Sequence, residues 1–365
     1  MASAEVALPT QLSENVSTVK ARSWTSPLPE RYVYPASMFG SIDGKYPETT
    51  LPVLDLKGLS TGDPAARKVL TNQIGNAASK IGFFQVVNHG IPEGTFDKVY
   101  EQARDFFELP VDVKEKAIDP VDMTVGYNGR FGHKSQEVPW LERLSQNYRP
   151  KPNWKALTDK IWPEGNPHLC KVVDEFAESV ESVGKQLLEL LAESLGLKTD
   201  FFSKEFEDPA KYDSVFRMQH YPVCPEPSRC MGSPAHSDTG VLTIVRQDAV
   251  GGFQIHDGKG FVDVTPIPGA LIVNIGDTLQ VWSNGRFQSC DHRVLVNGKS
   301  DRISLVYSFE TRHDFVIQCP PELVDDEHPS LYIPYTYPEY RNSYLKEVFN
   351  SKVGKNISLA YALRK

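Results

Sequence analysis

The chain has 365 residues, of which 40% are hydrophobic and 24% are charged, and its formal net charge is −8. These proportions are typical of a globular protein, and the acidic balance argues against nucleic acid as a partner, because a phosphate backbone binds positive surfaces. The sequence contains no run of 18 apolar residues, so no membrane span is predicted, and its N-terminus lacks the pattern of a secretory signal. We therefore expect a cytoplasmic protein with no nucleic-acid, membrane or obligate protein partner.

The five cysteines also favour a reducing compartment. Their number is odd and no pair has the CxxC spacing, so neither disulfides nor a thiolate metal site is expected. Small buried or half-buried side chains are the simpler interpretation.

The N-terminal part of the chain predicts an arm followed by strands and helices. Residues 1–49 contain several prolines and few aliphatic clusters, which indicates an irregular arm. LPVLDL at 51–56 alternates as a strand does, and Asp63 precedes a proline at a predicted helix start. FFQVVNHGIP at 83–92 predicts a strand and a turn, and a helix follows over about 93–108.

The middle of the chain contains a broken segment and then a regular helix. Glycines and prolines interrupt residues 120–165, which predicts loops and short strands of the kind that form a pocket wall. Residues 166–209 contain the most regular helix, in which apolar residues from Val173 to Leu190 recur at three- and four-residue steps. Gly196 suits the C-terminal cap of this helix.

Near the start of the region 210–318, the spacing at which hydrophobic residues recur changes from about 3.6 residues, as in a helix, to 2 residues, as in a strand. About eight short strand patterns follow, separated by glycine, proline, asparagine and aspartate, which predicts an antiparallel sandwich or jelly roll. SNGR at 283–286 is typical of a hairpin turn. Residues 319–365 form a predicted C-terminal extension that becomes helical from Tyr337.

Two residues near the start of this strand-rich region suit a metal ion. His236 and Asp238 are two positions apart, so on a strand both side chains point to the same face and can converge on one ion. With His292 they make two histidines and one carboxylate, a set that suits iron(II) because it leaves coordination positions open. The His-x-Asp pair alone is weak, because a loop histidine and a turn aspartate before Gly240 explain it equally well.

An arginine and a serine follow on the next strand. Arg302 and Ser304 share a strand face, and a guanidinium beside a hydroxyl suits a carboxylate held by charge-assisted hydrogen bonds. The Arg-x-Ser pattern recurs elsewhere in the chain, so its value comes from its position after His292. The simpler interpretation is an exposed strand charge paired with Asp301 or Asp263.

The HSD triplet, His292 and the RIS triplet together resemble the plant-type iron(II)/2-oxoglutarate-dependent dioxygenases, which share the isopenicillin N synthase-like fold. Flavonol synthase and the gibberellin oxidases belong to this family. GFFQVVNHGIP, HYPVCPEP and IPGALIVNIGDTLQVWSNGRFQSCDHRV are similar to further segments of the family, and the similarity extends over about residues 50–350.

The resemblance implies a mainly β fold with flanking helices. Its core would be a distorted double-stranded β-helix, a form of jelly roll, with an N-terminal α/β region and C-terminal helices. The predicted regions are an arm (1–49), an N-terminal dioxygenase region (50–165), a long helix packed on the core (166–209), the iron/2-oxoglutarate jelly roll (210–318) and the C-terminal extension (319–365).

The resemblance also implies the cofactors and their ligands. Iron(II) would be held by His236, Asp238 and His292, and 2-oxoglutarate by Arg302 and Ser304. Dioxygen would be the second co-substrate, and ascorbate the reductant. The implied activity is hydroxylation or desaturation of a small plant metabolite, with succinate and CO2 as co-products.

At two positions the chain departs from the family. Tyr221 matches an Asn-x-Tyr pattern that contacts 2-oxoglutarate, but Gln219 occupies the asparagine position. Gln219 is expected to point to the same face and either to reach the same oxygen or to crowd it. Ser308 occupies a position six residues after Arg302 at which many relatives carry an aromatic residue that faces the substrate.

The substrate is expected to contact side chains of the broken segment, the jelly roll and the C-terminal helix. Similarity around Trp140 and in RQDAVGGFQI favours a gibberellin-like diterpenoid acid, although another specialised metabolite remains open, and each aromatic candidate could equally belong to the core. The candidates are Tyr127, Phe131, Trp140, Arg143, Phe253, Ser308 and Tyr344.

Two alternative functions remain open from the sequence. One is an iron-dependent oxidase of the same fold that does not use 2-oxoglutarate, and the other is a non-catalytic ligand-binding jelly roll. Succinate formed during turnover would exclude the first, and oxygen consumption would exclude the second.

Overall fold

The computed structural model describes most of the chain between residues 15 and 350. The described residues are 15–22, 27–40, 46–120, 122, 124–129, 137–150 and 154–350. The residues described by their backbone alone are 21, 22, 60 and 344–350.

The described part of the chain contains short and long helices on either side of a strand-rich region. The helices are α1 (Val16–Arg22), α2 (Lys57–Ser60), α3 (Pro64–Lys80), α4 (Glu93–Glu108), α5 (Val111–Lys114), α6 (Trp154–Ile161), α7 (Pro167–Ser194), α8 (Asp277–Trp282) and α9 (Tyr337–Asn350). Among the described residues, no helix is both long and apolar enough to span a bilayer.

The strands begin after helix α1 and continue to helix α9. They are β1 (Glu48–Thr49), β2 (Val53–Asp55), β3 (Phe83–Val87), β4 (Gly126–Asn128), β5 (Glu142–Arg149), β6 (Asp213–Tyr221), β7 (Met231–His236), β8 (Leu242–Gln247), β9 (Phe253–His256), β10 (Phe261–Val264), β11 (Leu271–Ile275), β12 (His292–Leu295), β13 (Arg302–Glu310), β14 (Val316–Ile317) and β15 (Tyr335–Thr336).

Two sheets form the jelly-roll core, as predicted. The larger sheet has the strand order β2-β3-β11-β8-β13-β6-β5-β4, and the smaller one has the order β1-β10-β9-β12-β7. Val245 and Ile272 of the larger sheet pack in one apolar cluster with Ile255 and Val294 of the smaller sheet. Burial of this apolar area holds the sheets face to face.

Helix α7 packs against the outer face of the larger sheet. Pro167 occupies its first turn, and the Asn166 side chain caps it by accepting a hydrogen bond from the Leu169 backbone N–H at 2.9 Å. A Cβ atom at Gly184 would lie 2.3 Å from the Phe309 ring, so glycine allows the close approach of this helix to β13. The regular helix predicted within residues 166–209 is confirmed. It spans Pro167–Ser194 and is therefore longer than the apolar repeat from Val173 to Leu190.

Three local predictions are wrong. Residues 277–282 form helix α8, and the turn at 283–286 ends that helix instead of joining two strands. Part of the arm predicted to be irregular forms helix α1, whose Val16 and Val19 are fully buried. The broken segment contains the predicted strands, of which β5 pairs with β6 in the larger sheet, but it also contains helix α6, where no helix was predicted. In each case tertiary contacts outweigh the local pattern.

A buried polar network ties α1 to the larger sheet. Glu142 accepts hydrogen bonds from Lys114 Nζ at 2.7 Å and from the Ser17 hydroxyl at 2.9 Å. The His220 ring bridges two carboxylates, with Nδ1 2.8 Å from Glu142 and Nε2 3.1 Å from Asp301. Burial alone would lower the pKa of His220, but the hydrogen bonds and charges of these carboxylates raise it above 6.5.

This network predicts that stability falls as pH rises above neutrality. A raised pKa in the folded state means that His220 stabilises the fold fully below pH 6.5, and that this stabilisation is lost as pH rises through the raised pKa. In urea unfolding between pH 6.5 and about pH 9, His220→Gln should remove a pH-dependent contribution on the order of 1 kcal/mol. The exposed His328→Gln variant is the control, and equal pH dependence in all three proteins would contradict the prediction.

Candidate active site

A cavity of about 350 Å³ opens between the two sheets. Its wall comes from β6, β7, β8, β9, β12 and β13, and helix α9 contributes Tyr337 and Arg341. Along β13 the residues with even numbers face this cavity, whereas those with odd numbers pack in the core. A volume of this size suits a small organic ligand.

His236, Asp238 and His292 lie together at the inner end of the cavity. His236 ends β7 and is the direct cross-strand neighbour of His292, which begins β12. Asp238 Oδ1 is 3.8 Å from Nε2 of each histidine, and one potential ligand atom from each residue lies within 4.8 Å of the other two. One ion could therefore contact all three side chains.

Hydrogen bonds orient two of these side chains. His236 Nδ1 is 2.9 Å from the Pro234 carbonyl oxygen and donates to it, which leaves Nε2 as the lone-pair nitrogen. The Asn274 side-chain N–H donates to Asp238 Oδ2 at 2.8 Å, which leaves Oδ1 as the oxygen that points to the two histidine Nε2 atoms.

The protonation states also suit a metal. Burial favours a raised pKa for Asp238, but the charges of His292 and His236, with hydrogen bonds from Asn274 and Thr243, hold this pKa at about 2. Burial, reinforced by the charge of His236, lowers the pKa of His292 to about 4. At neutral pH the donor set is therefore a carboxylate and a neutral imidazole beside His236, which fits a divalent transition metal.

A buried carboxylate connects this cluster to helix α9. Asp277 Oδ2 accepts hydrogen bonds from the Ser237 hydroxyl at 3.1 Å and from the Tyr340 hydroxyl at 2.6 Å. The Asp277 backbone N–H also donates to the Asp238 carbonyl oxygen at 2.7 Å. The Asp277 side chain thus holds two segments together. One is the loop with Ser237, between His236 and Asp238, and the other is the first turn of helix α9 with Tyr340.

A second polar cluster surrounds Arg302, which is 2% exposed. Its guanidinium donates to Ser304 Oγ at 3.3 Å and to Gln247 Oε1 at 3.1 Å, and it lies over the Tyr221 ring. The Tyr221 hydroxyl donates to Gln219 Oε1 at 2.8 Å. The side chains that sequence reasoning associated with a carboxylate are therefore brought together, and Gln219 points into the same cluster.

Three arginines besides Arg302 line the cavity. They are Arg143, Arg217 and Arg341, and Glu310 is the carboxylate among them. Arg217 Nη1 donates to the Ser308 hydroxyl at 2.9 Å, and its Nη2 is 4.0 Å from Glu310 Oε1. This group of four side chains therefore carries an excess of positive charge.

The candidates for substrate contact fall into three groups. Arg143, Phe253 and Ser308 line the cavity. Trp140 packs against Tyr32 and donates to the Pro222 carbonyl oxygen at 2.9 Å, so it belongs to the apolar core between the sheets. Of the remaining candidates, Tyr127 does not line the cavity.

Tyr127 is part of the buried network of α1, because its hydroxyl donates to Glu142 Oε2 at 2.7 Å. Phe131 lies outside the described residues, as does the side chain of Tyr344.

Sequence reasoning missed several residues of the cavity. Arg217 and Glu310 share strand faces with Gln219 and Ser308, so strand parity could have identified them. No local signal identifies Arg341, because it reaches the cavity from a helix that is remote in sequence.

Family models match both parts of the chain. The model of the 2OG-Fe(II) oxygenase superfamily matches residues 212–311. The model described as "non-haem dioxygenase in morphine synthesis N-terminal" matches residues 51–165.

Individual plant proteins are similar over nearly the whole chain. Jasmonate-induced oxygenase 2 of Arabidopsis thaliana is 35% identical over 325 residues, which cover 88% of this chain and 86% of that protein. Gibberellin 20 oxidase 3 of the same plant is 32% identical, with 86% of each chain covered.

Solved structures show the same similarity. The crystal structure of JOX2 in complex with 2OG, Fe and JA has a TM-score of 0.83 at 32% identity, and it covers 97% of this chain and 99% of that one. The rice dioxygenase for auxin oxidation has a TM-score of 0.71 at 29% identity, with 86% and 100% covered. The donor set between the sheets, the matching family models and these relatives agree: the chain belongs to the 2OG-Fe(II) oxygenase superfamily and is an iron(II)- and 2-oxoglutarate-dependent dioxygenase.

Proposed function

We propose that this dioxygenase oxidises a small carboxylic acid whose carboxylate binds between Arg143, Arg217 and Arg341. The observation that carries the proposal is that three arginines, close enough for their charges to interact, line one cavity with Glu310 as the carboxylate beside them. A carboxylate is the group that paired guanidinium groups bind best, because their planar N–H donors match its two oxygens.

The electrostatics of Arg143 support an anionic ligand. Burial lowers the pKa of Arg143, and repulsion from Arg217 lowers it further. Attraction to Asp122 offsets part of this, and the resulting pKa is about 9. A group that is costly to keep charged gains most when an opposite charge arrives. A substrate carboxylate would reduce the mutual repulsion of the guanidinium groups.

The relatives are consistent with this class of substrate. JOX2 was solved with JA, the rice relative is named for auxin oxidation, and several curated relatives are named gibberellin 20 oxidases. A gibberellin-like diterpenoid acid is thus one candidate among several acids.

We further propose that His236, Asp238 and His292 hold iron(II), and that Arg302 and Ser304 hold the distal carboxylate of 2-oxoglutarate. The position of Asp238 Oδ1, 3.8 Å from Nε2 of each histidine, and the Nε2 lone pair of His236 support the metal assignment. The burial of Arg302 beside two hydroxyl groups supports the co-substrate assignment.

When bound, iron(II) and 2-oxoglutarate supply the oxidising power that converts a substrate C–H bond to C–OH or removes two hydrogens, with dioxygen as oxidant. The chain's own side chains bind and orient. The arginines would fix the acid end of the substrate, and Phe253 and Val245 give the cavity an apolar wall that excludes water. The mechanism requires no side chain as a general base. We also infer that the protein is located in the cytoplasm and that ascorbate serves as the reductant.

Arg217→Gln and Arg341→Gln should each raise the KM for an acidic substrate about tenfold or more, because a hydrogen bond to a charged group contributes about 1.5–3 kcal/mol. The assay measures succinate formation with jasmonic acid, indole-3-acetic acid and a gibberellin, each beside its methyl ester. The exposed Arg229→Gln variant is the control. If every ester were turned over as well as its acid by the unmodified enzyme, the proposed substrate class would be wrong.

A further inference from the structure

We propose that Ser308 determines the charge selectivity of this dioxygenase, because it holds the Arg217 guanidinium in position for the substrate's carboxylate. This inference rests on the proposed function of the same site. It assigns a specificity role to a residue that touches neither the predicted metal ligands nor the predicted 2-oxoglutarate cluster.

The contact lies on two paired strands. Ser308 on β13 is the cross-strand partner of Val215 on β6 and of Thr243 on β8. Arg217 Nη1 reaches the Ser308 hydroxyl at 2.9 Å from a position two residues further along β6. Ser308 is 7% exposed, so this hydrogen bond forms where competition from water is weak.

Arg217 has a competing partner on the same strand face. Glu310 lies two residues beyond Ser308, and its carboxylate is 4.0 Å from Arg217 Nη2. An arginine that closed fully on Glu310 would be neutralised and would offer little to a substrate anion. The Ser308 hydroxyl binds the guanidinium without neutralising it, so the positive charge stays available to the cavity.

The Ser308 hydroxyl also lies beside Thr243, and the two hydroxyl oxygens are 3.5 Å apart. Arg217 Nη1 can only donate, so the Ser308 oxygen is the acceptor of their hydrogen bond. The Ser308 proton then remains available for another acceptor such as the Thr243 oxygen.

Size adds to this role. A phenylalanine in place of Ser308 would fill the space next to Thr243 and would offer no oxygen to accept the hydrogen bond from Arg217. With such a ring, this position of the strand would favour contact with an apolar part of a substrate over binding of an anionic group.

The test compares the affinity for an acid with the affinity for its methyl ester. Jasmonic acid, indole-3-acetic acid and a gibberellin are titrated, each beside its ester, into the anaerobic iron(II)- and 2-oxoglutarate-loaded enzyme by calorimetry. For the acid that binds most tightly, we expect a preference over the ester of at least about tenfold, falling below about threefold in Ser308→Ala. Ser308→Thr, which keeps the hydroxyl, should restore most of it, and Ser179→Ala on α7 is the matched control.

The outcomes separate the two proposals. If the unmodified enzyme binds no acid better than its ester, both the proposed substrate class and the role of Ser308 are overturned. If the preference is present and Ser308→Ala retains it, only the role of Ser308 is overturned. Iron(II) affinity and the thermal midpoint of each variant are measured alongside, and a loss of preference that accompanies loss of iron or of the fold counts against the proposal unless Ser308→Thr rescues it.

Discussion

Replacing His236, Asp238 or His292 with alanine is expected to abolish iron(II)- and 2-oxoglutarate-dependent turnover while the fold persists. Each substitution removes one of three donors whose ligand atoms lie within 4.8 Å of one another. Two remaining donors hold a divalent ion weakly and leave its position undefined. The sheets should survive, because all three side chains line a cavity and the largest packing loss is that of the His292 ring against Phe83 and Phe253.

The loss is measured as oxygen consumption and succinate formation with excess iron(II), and as iron retained after dialysis. His328→Ala and Asp257→Ala, which alter an exposed histidine and an exposed aspartate, are the matched controls and should keep both properties. Circular dichroism and thermal unfolding check the fold. Full turnover in any of the three cavity variants would overturn the assignment of the metal ligands.

Arg302→Ala is expected to raise the 2-oxoglutarate concentration required for half-maximal activity at least about tenfold, since a charge-assisted hydrogen bond contributes about 1.5–3 kcal/mol. The 2-oxoglutarate concentration that Arg302→Lys requires should lie between those of Arg302→Ala and the unmodified enzyme, because lysine keeps the charge but loses the planar pair of donors. Binding of 2-oxoglutarate measured by calorimetry should change in parallel.

Arg302→Ala also leaves the Gln247 amide oxygen without its donor, so some loss of stability is expected. Thermal unfolding separates this effect from the effect on binding. Arg229→Ala, at an exposed arginine paired with Glu226, is the control. An unchanged 2-oxoglutarate requirement in Arg302→Ala would place the co-substrate elsewhere in the cavity.

Strand parity explains part of what the sequence predicted of the site. A strand repeats every two residues, so Arg302 and Ser304 on β13 could be assigned to one face without any knowledge of the fold. The same argument was applied to His236 and Asp238, but β7 ends at His236 and Asp238 lies in the loop that follows, so the loop and not strand parity brings this carboxylate to the histidine. Long-range convergence of His292 with His236 and Asp238 required the jelly roll, which the strand spacing and the family resemblance supplied.

Elements without a strong local pattern could not be predicted. Residues 277–282 alternate in a way that suits a strand, but the backbone of the Asp238 loop bonds to the N-terminus of this segment and supports a helix. Tyr127 and Trp140 were equally suitable for a pocket or a core, and only tertiary neighbours decide between these. The burial of α1 depends on partners such as Glu142, more than a hundred residues away.

The alternation of β13 has a consequence for how enzymes of this architecture diversify. Val306, Ser308 and Glu310 line the cavity, whereas the intervening Tyr307 and Phe309 are fully buried in the core. A single substitution on the first face alters the cavity, and it leaves untouched the side chains that hold the strand against helix α7. New substrate preferences can therefore arise on this strand at little cost in folding stability, which suits a superfamily whose members are named for different small molecules.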